Sequence, residues 1–391
     1  MCGIGSYTKY LATYMPNAKI ISFDLKTYRL YGHKKETNTV YTINPDKIEE
    51  SAKKISKIAD GVLWFQHSFG MWQTEKFIQL LKMLKKQKKI ASFHTIHFQS
   101  KETKYGLDKG EYLLLKNTLP YLDVATFFTD GARSAAMAAF PNHSHKLILL
   151  RHGTHLYPKI TRKEAKHKLF EYLTTKANIS ERDKKGLKNL SSIFFKKKTK
   201  IIGNVGFITP GKAEEFVFIT GLALQNMLPR NRIIVLRMGT VRDPSNPKAV
   251  EALKRLKILA DGKRSFLLNC YIPEEIFKIA IKSFNVLLFW PDDCTQSGRL
   301  AHAQGTGAAV VGKDMEGLGE TLKQSNYFTA KSYDVFLSKV KEVVLSKNIR
   351  MGFERSAKAY AAEFHYKVQA KKHLQLAKAV LNGEKLPILD H

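Results

Sequence analysis

Cysteine is scarce in this chain of 391 residues, and the three present, Cys2, Cys270 and Cys294, stand apart without CxxC spacing. That excludes a disulfide framework and a structural zinc ligand set, and it favours a reducing compartment. Acidic residues are also few: 34 Asp and Glu face 65 Lys and Arg, a formal charge of +31. Such an excess points to polyanionic company, whether nucleic acid, an anionic membrane surface or phosphorylated substrates. The charge alone does not choose among them. No run of eighteen apolar residues occurs, so no membrane span is expected, and the chain reads as soluble and cytoplasmic with room for two or three domains. A basic region followed by an apolar one is missing from the N-terminus, so no secretory signal is expected. No GxxxxGK(S/T) is present, which removes a P-loop, and no GxGxxG follows an apolar strand, which weakens a dinucleotide-redox reading.

What the chain does contain is an alternation. Short β-rich apolar runs, "KIISFD", "GVLWFQHS", "KIASFHT", "VATFFTD" and "KLILLRHG", are separated by helical patterns such as "NPDKIEESAKKISKIAD" and "TEKFIQLLKMLKKQKK". A polar, Lys-rich segment from Thr161 to Lys200 follows, read as a helical connection, with Phe194 and Phe195 either packed or facing a membrane. A second series then begins: "KIIGNVGFI", "RIIVLRMG", "RSFLLNCYI", "NVLLFWPDD" and "AAVVG". Continuous apolar strands between helices predict α/β halves with parallel sheets covered on both faces, and ligand chemistry at the strand C-termini. The last forty residues are helical in pattern. At the start, Gly-Ile-Gly-Ser reads as a tight turn with Ser6 as helix N-cap, and the strand expected before such a turn is missing.

Polar groups close the strands at one edge. His67 with Ser68, His94 with His97, and Arg151 with His152 end runs of the first half; Lys212, Arg237 with Gly239, and Asp292 through Gly298 follow runs of the second. A single histidine there has a plain reading as a satisfied, half-buried side chain, but the recurrence along one edge favours a site. Ser297 and Gly298 open a helix just after a strand, where unpaired N–H groups and the helix dipole favour a diphosphate, and Lys212 can supply a mobile cation to it.

The ordered series "CGIGSYTKYLA", "WFQHSFG", "FHTIH", "LLRHG", "GFITPGKAEEF", "VLRMG" and "PDDCTQSGRLAHAQGTGAAVVG" with "EGLGE" resembles the family 4 glycosyltransferases of GT-B fold over nearly the whole chain. The resemblance implies two Rossmann-like, doubly wound domains facing across a cleft. It also implies retaining transfer of a sugar from a nucleotide diphosphate sugar to a glycan, lipid-linked or small-molecule acceptor, with no bound metal and no cofactor beyond the donor. Its boundaries would be 1–185 for the acceptor-binding domain, 186–345 for the donor-binding domain, and 346–391 for C-terminal helices crossing back to the first.

Carried over residue by residue, Gly3 and Gly5 match the Gly-rich loop that approaches donor phosphate, and His94 falls in the region bordering acceptor and donor sugar. His67, His97, Arg151 and His152 fall on the acceptor side. Lys212 matches the Lys of a phosphate-binding Arg/Lys pair; Phe207 stands where many members have Arg, so Arg237 is asked to take part. Ser297, Gly298, Arg299 and Leu300 match the loop and helix start that cradle phosphate and ribose. Cys294 and His302 occupy the positions of the family's two glutamates, leaving Asp293 to accept from sugar hydroxyls and His302 to bond a ribose. A branch of the family with Thr-Gln-Ser-Gly here also lacks that pair. The missing carboxylates keep a non-catalytic nucleotide-sugar binder open as a second reading. A nucleic-acid binder would use the same charge, but no nucleic-acid motif is present.

The basic runs "LKMLKKQKK" and "FFKKKTK" read first as solvated surface and second as a docking face for an anionic membrane, which would suit a lipid-linked acceptor.

Overall fold

The computed structural model describes residues 3–23, 39–69, 71–209 and 211–391. They divide into two compact units, one running to Gly153 and resuming at Phe364, the other spanning Thr154–Glu363.

In the first unit, α1 (Gly3–Ala12) precedes a parallel pair, β1 (Ile20–Phe23) and β2 (Thr39–Ile43). Gly3 and Gly5 lie in the first turn of α1, so Ser6 is inside the helix and not its cap. The packing of Tyr7 and Leu11 outweighs the helix cost of two glycines. Cys2 lies outside the described residues. Then follow α2 (Ile48–Ile58), β3 (Val62–His67), α3 (Thr74–Met83), β4 (Lys88–Phe93), α4 (Lys109–Thr118), β5 (Val124–Phe127), α5 (Asp130–Ala139) and β6 (Leu147–Leu149). Strands β3, β4, β5 and β6 pair in that order, all parallel, as strands apolar on both faces require.

The second unit opens with α6 (Arg162–Thr175), α7 (Glu181–Asn189) and α8 (Ser191–Phe194). It continues through β7 (Thr199–Val205), α9 (Phe216–Met227), β8 (Arg232–Met238), α10 (Pro247–Leu259), β9 (Ser265–Leu268), α11 (Glu274–Ser283) and β10 (Val286–Phe289). Then come α12 (Gly298–Thr306), β11 (Val310–Lys313), α13 (Glu316–Gln324), β12 (Phe328–Ala330), α14 (Tyr333–Leu345) and α15 (Lys347–Glu363). Its six parallel strands run β12-β11-β10-β7-β8-β9, so the order of winding reverses between β7 and β10. In a doubly wound sheet that reversal opens a crevice at the strand C-termini.

The division differs from the boundaries drawn on sequence. Residues 154–185 belong to the second unit, where Leu169 and Leu173 of α6 join its core. Phe194 is fully buried in that core and Phe195 stacks on His167 at 4.0 Å, which removes the membrane-facing reading of this pair. Of the C-terminal residues, α15 stays with the second unit and α16 (Tyr366–Asn382) with the first. There α16 lies on the first sheet, with His373 stacked on Trp64 at 4.4 Å and Leu376 and Val380 packed on Ile90 and Val124. Gly153 leaves room for this docking, since a Cβ there would sit 2.4 Å from the Tyr366 ring.

Candidate functional site

At the reversal of the second sheet, β7 and β10 pair only through Ile202 and Gly203 before they part. Beyond that point the buried Asn204 side chain donates to Leu288 O at 2.9 Å and replaces the missing ladder bond. The segments leaving the two strands then meet. Asp292 N and Asp293 N donate to Gly211 O at 3.1 and 3.3 Å, and Lys212 Nζ donates to Asp293 O at 3.0 Å. Lys313, at the end of β11, reaches the same segment through Pro291 O at 3.1 Å. Lys212, Asp293 and the start of α12 are thus brought together where the crevice rule places a ligand. Lys313 was not singled out by sequence, because a Lys ending a strand carries no motif.

Ser297 is the N-cap of α12, and its side chain makes no cap bond. A Cβ on Gly298 would meet nothing within 4 Å, so the first turn is open on that side. The first amides of a helix lack intrahelical acceptors, and with Leu300 N donating to Ser297 O at 3.0 Å those of Gly298 and Arg299 are left for an anion. Leu300 is buried and anchors the turn. The Gln296 Nε2, also buried, has no hydrogen-bond partner.

Arg237 departs from expectation. Its side chain is 0% exposed, paired with Glu214 through Nε at 2.9 Å, and it also donates to the carbonyls of Gly206, Phe207 and Met238. Burial lowers its pKa despite the Glu214 charge. Such a guanidinium orders the strand ends and does not reach a donor phosphate. The same Glu214 accepts from Arg299 Nη1 at 3.3 Å, so one carboxylate holds two arginines. Close approach depends on Gly206 (φ +129), where a Cβ would lie 2.7 Å from Arg299 Cδ, and on Gly239 (φ +135), where it would lie 1.9 Å from Gly206 O. Sequence reasoning passed over Glu214, because nothing in "GKAEEF" shows which acid turns inward.

Cys294 and His302, which the sequence resemblance set at two glutamate positions, are engaged internally. Cys294 is buried and its Sγ lies 3.3 Å from Gln296 O. His302 bonds the Tyr157 hydroxyl through Nδ1 and stacks on His155 at 4.1 Å. Burial, then Glu274, raises the Tyr157 pKa, so this hydroxyl stays protonated.

In the first unit, His94 follows β4, with Nε2 2.8 Å from Gln66 Oε1 and its ring edge-on to Tyr7 and Phe128. Burial, followed by His152, His67 and His373, holds its pKa well below the usual value, so it is neutral at pH 7. His152 packs on Tyr7 and its Nδ1 lies 2.7 Å from Gly153 O. His67 does not join them as an acceptor contact. Its side chain turns to the opposite face, buried between Phe77 and Phe93, and burial lowers it to about 4. Arg151 is likewise withdrawn: buried, its guanidinium holds His391 O and its backbone N–H donates to Asp390. The His97 Nδ1 lies 2.9 Å from Glu111 Oε1 and 3.2 Å from Asp108 Oδ2. These three are a metal-competent donor group, and a ring N–H shared between two carboxylates explains the same geometry.

No family model matches the sequence, and no curated protein matches it. Solved structures do match the fold. Trehalose-6-phosphate synthase OtsA aligns with a TM-score of 0.68 at 13% identity, over 97% of this chain and 95% of its own. Anabaena HepE in complex with UDP-glucose gives 0.66 at 10% identity, over 97% and 96%. A UDP-forming α,α-trehalose-phosphate synthase from Burkholderia xenovorans gives 0.60 at 15% identity, over 86% and 78%. At such identities the likeness carries the fold alone. The fold is GT-B, with two Rossmann-like units, and the likeness does not single out family 4.

Proposed function

We propose that the chain is a glycosyltransferase that takes a sugar from a nucleotide diphosphate sugar, with the diphosphate held at the sheet reversal of the second unit. The observation that carries this reading is the meeting of Lys212 with the segment leading into α12 at that reversal. The structures of like fold support a uridine diphosphate donor, since one is described as UDP-forming and another holds UDP-glucose. On the same reading the transfer is retaining and needs no metal, and the acceptor is a glycan, a lipid-linked sugar or a small molecule.

As the sugar leaves with oxocarbenium character, negative charge grows on the diphosphate, and groups already fixed there lower the barrier most. Lys212 and the first-turn amides of α12 are those groups. Arg299, steered by Glu214, adds a cation from the helix in place of the arginine that Phe207 displaces. The leaving phosphate itself takes the acceptor proton. Asp293, on the segment that Lys212 meets, then accepts from hydroxyl groups of the donor sugar.

Replacing Lys212 by Ala is expected to reduce transfer and donor hydrolysis by roughly a hundredfold, the usual effect of losing one preorganised contact of about 3 kcal/mol. An unchanged rate in a folded variant would overturn the site. A second reading, a nucleotide-sugar binder without turnover, is favoured by the engaged Cys294 and His302. It predicts donor binding with no nucleotide released in any acceptor screen.

A further inference from the structure

The strands of the second sheet begin at the edge opposite the proposed donor site, and cations crowd there. Arg162 and Lys166 of α6, Lys200 of β7, Lys282 of α11 and Arg350 of α15 all reach this edge. Arg162 Nε donates to Phe284 O at 3.0 Å and Lys166 Nζ to Thr199 O at 3.3 Å. Asn285 N donates to Ile201 O at 2.6 Å, and Ile201 N donates back to the Asn285 side chain at 2.9 Å. The two carbonyls are therefore neighbours, and so are the cations on them. Arg350 Nη1 donates to Val343 and Val344 O at the end of α14.

Three of the five are nearly enclosed, with Lys166 at 8%, Lys282 at 3% and Arg350 at 6% exposure. Against them stands Glu354, 2.8 Å from Lys282 and already shared with Lys358 at 3.8 Å. Burial, with repulsion from Arg162, Lys200 and Arg350, lowers Lys166 to about 8, and burial with Arg162 lowers Arg350 to about 10. Helix-end carbonyls account for part of this arrangement, since they carry partial negative charge and attract cations. They do not account for the Arg350 Nε, a buried N–H with no acceptor. Buried donors are almost always satisfied, and buried charges are normally paired.

We infer that this strand-start edge of the second unit binds a small phosphate-bearing anion, with Lys166 and Arg350 beneath it and the partly exposed Arg162 and Lys200 at the rim. The inference does not depend on the donor site, which lies at the other end of the same strands. Thermal unfolding of the full chain tests it, with inorganic pyrophosphate as probe against sodium chloride at equal ionic strength. The wild type is expected to gain a rise in Tm, and Lys212→Gln, which weakens pyrophosphate binding only at the proposed donor site, is expected to keep a rise above the chloride control. In the Arg162→Gln/Lys200→Gln variant, pyrophosphate affinity is expected to fall roughly tenfold or more, as loss of charged hydrogen bonds implies. A rise that disappears with Lys212→Gln alone overturns the inference, as does a wild type with no rise above the chloride control. If the double variant fails to fold, Lys200→Gln alone gives the same reading, since its side chain is at the rim.

Discussion

At the residue scale the Glu214 carboxylate, 4% exposed, has a buried guanidinium on one oxygen and a half-buried one on the other. Removing one partner of a buried pair leaves the other charge without compensation, which typically costs about 3–5 kcal/mol. Glu214→Gln keeps an acceptor but loses the charge, so a loss near 3 kcal/mol is expected in the urea midpoint. Adding Arg237→Met to Glu214→Gln removes the stranded charge and is expected to recover most of that loss. A double variant as unstable as the sum of the singles would show that the pair acts through something other than charge. The same substitution frees Arg299, so donor affinity should weaken even where the fold survives.

At the scale of elements, what was legible followed from burial periodicity. Strands β7, β8 and β10 read as apolar runs because both faces are covered, and the loops after β7 and β10 announced themselves by Gly, Lys and Asp. Strands β2 and β12 escaped: "TVYTI" is five residues with threonines breaking its apolar run, and "FTA" is three residues long, too short for a period. The site was legible where residue type and position coincide, as at Lys212 and Ser297. It was not legible where a side chain's direction decides, since alternate residues point to opposite faces: Gln66 meets His94 while His67 meets Phe77. That edge of the first sheet has a pH consequence. Burial lowers His67, His152 and His373 to about 4 in the folded state, whereas an unfolded histidine titrates near 6.5. The unfolded chain then binds more protons, so this stability is complete above pH 6.5 and is lost as pH falls toward 4. Urea midpoints should drop over that window. His67→Leu should reduce the slope by up to one proton's worth, about 1.4 kcal/mol per pH unit. An unaltered slope would mean that His67 titrates in the fold as it does in the unfolded chain.

At the scale of the whole molecule, a formal charge of +31 needs a use or a tolerance. Among the described residues no helix is long and apolar enough to cross a membrane, and with Phe194 buried the stretch "FFKKKTK" offers charge without an inserting pair of aromatics. The end of α3 is different. Lys82, Lys85, Lys86 and Lys88 are exposed there beside Met83, 40% exposed, and Lys82 lies 5.5 Å over the ring of Tyr121, itself 37% exposed. Each lysine near an anionic bilayer contributes about 1 kcal/mol, and exposed Met and Tyr can enter the interface. Lys88 is paired with Asp123 at 3.2 Å, and the other three lysines correspond to a preference of about 3 kcal/mol, or more than a hundredfold, for anionic over neutral lipid. Sedimentation with phosphatidylglycerol vesicles should therefore capture the protein at low salt and release it as ionic strength rises and the Debye length shortens. Lys85→Glu/Lys86→Glu reverses two charges on the exposed rim without touching the core, so capture should fall more than tenfold with the urea midpoint unchanged. Equal capture by phosphatidylcholine vesicles, or by the reversed variant, would show that this face is solvated surface and that the lysines serve solubility alone.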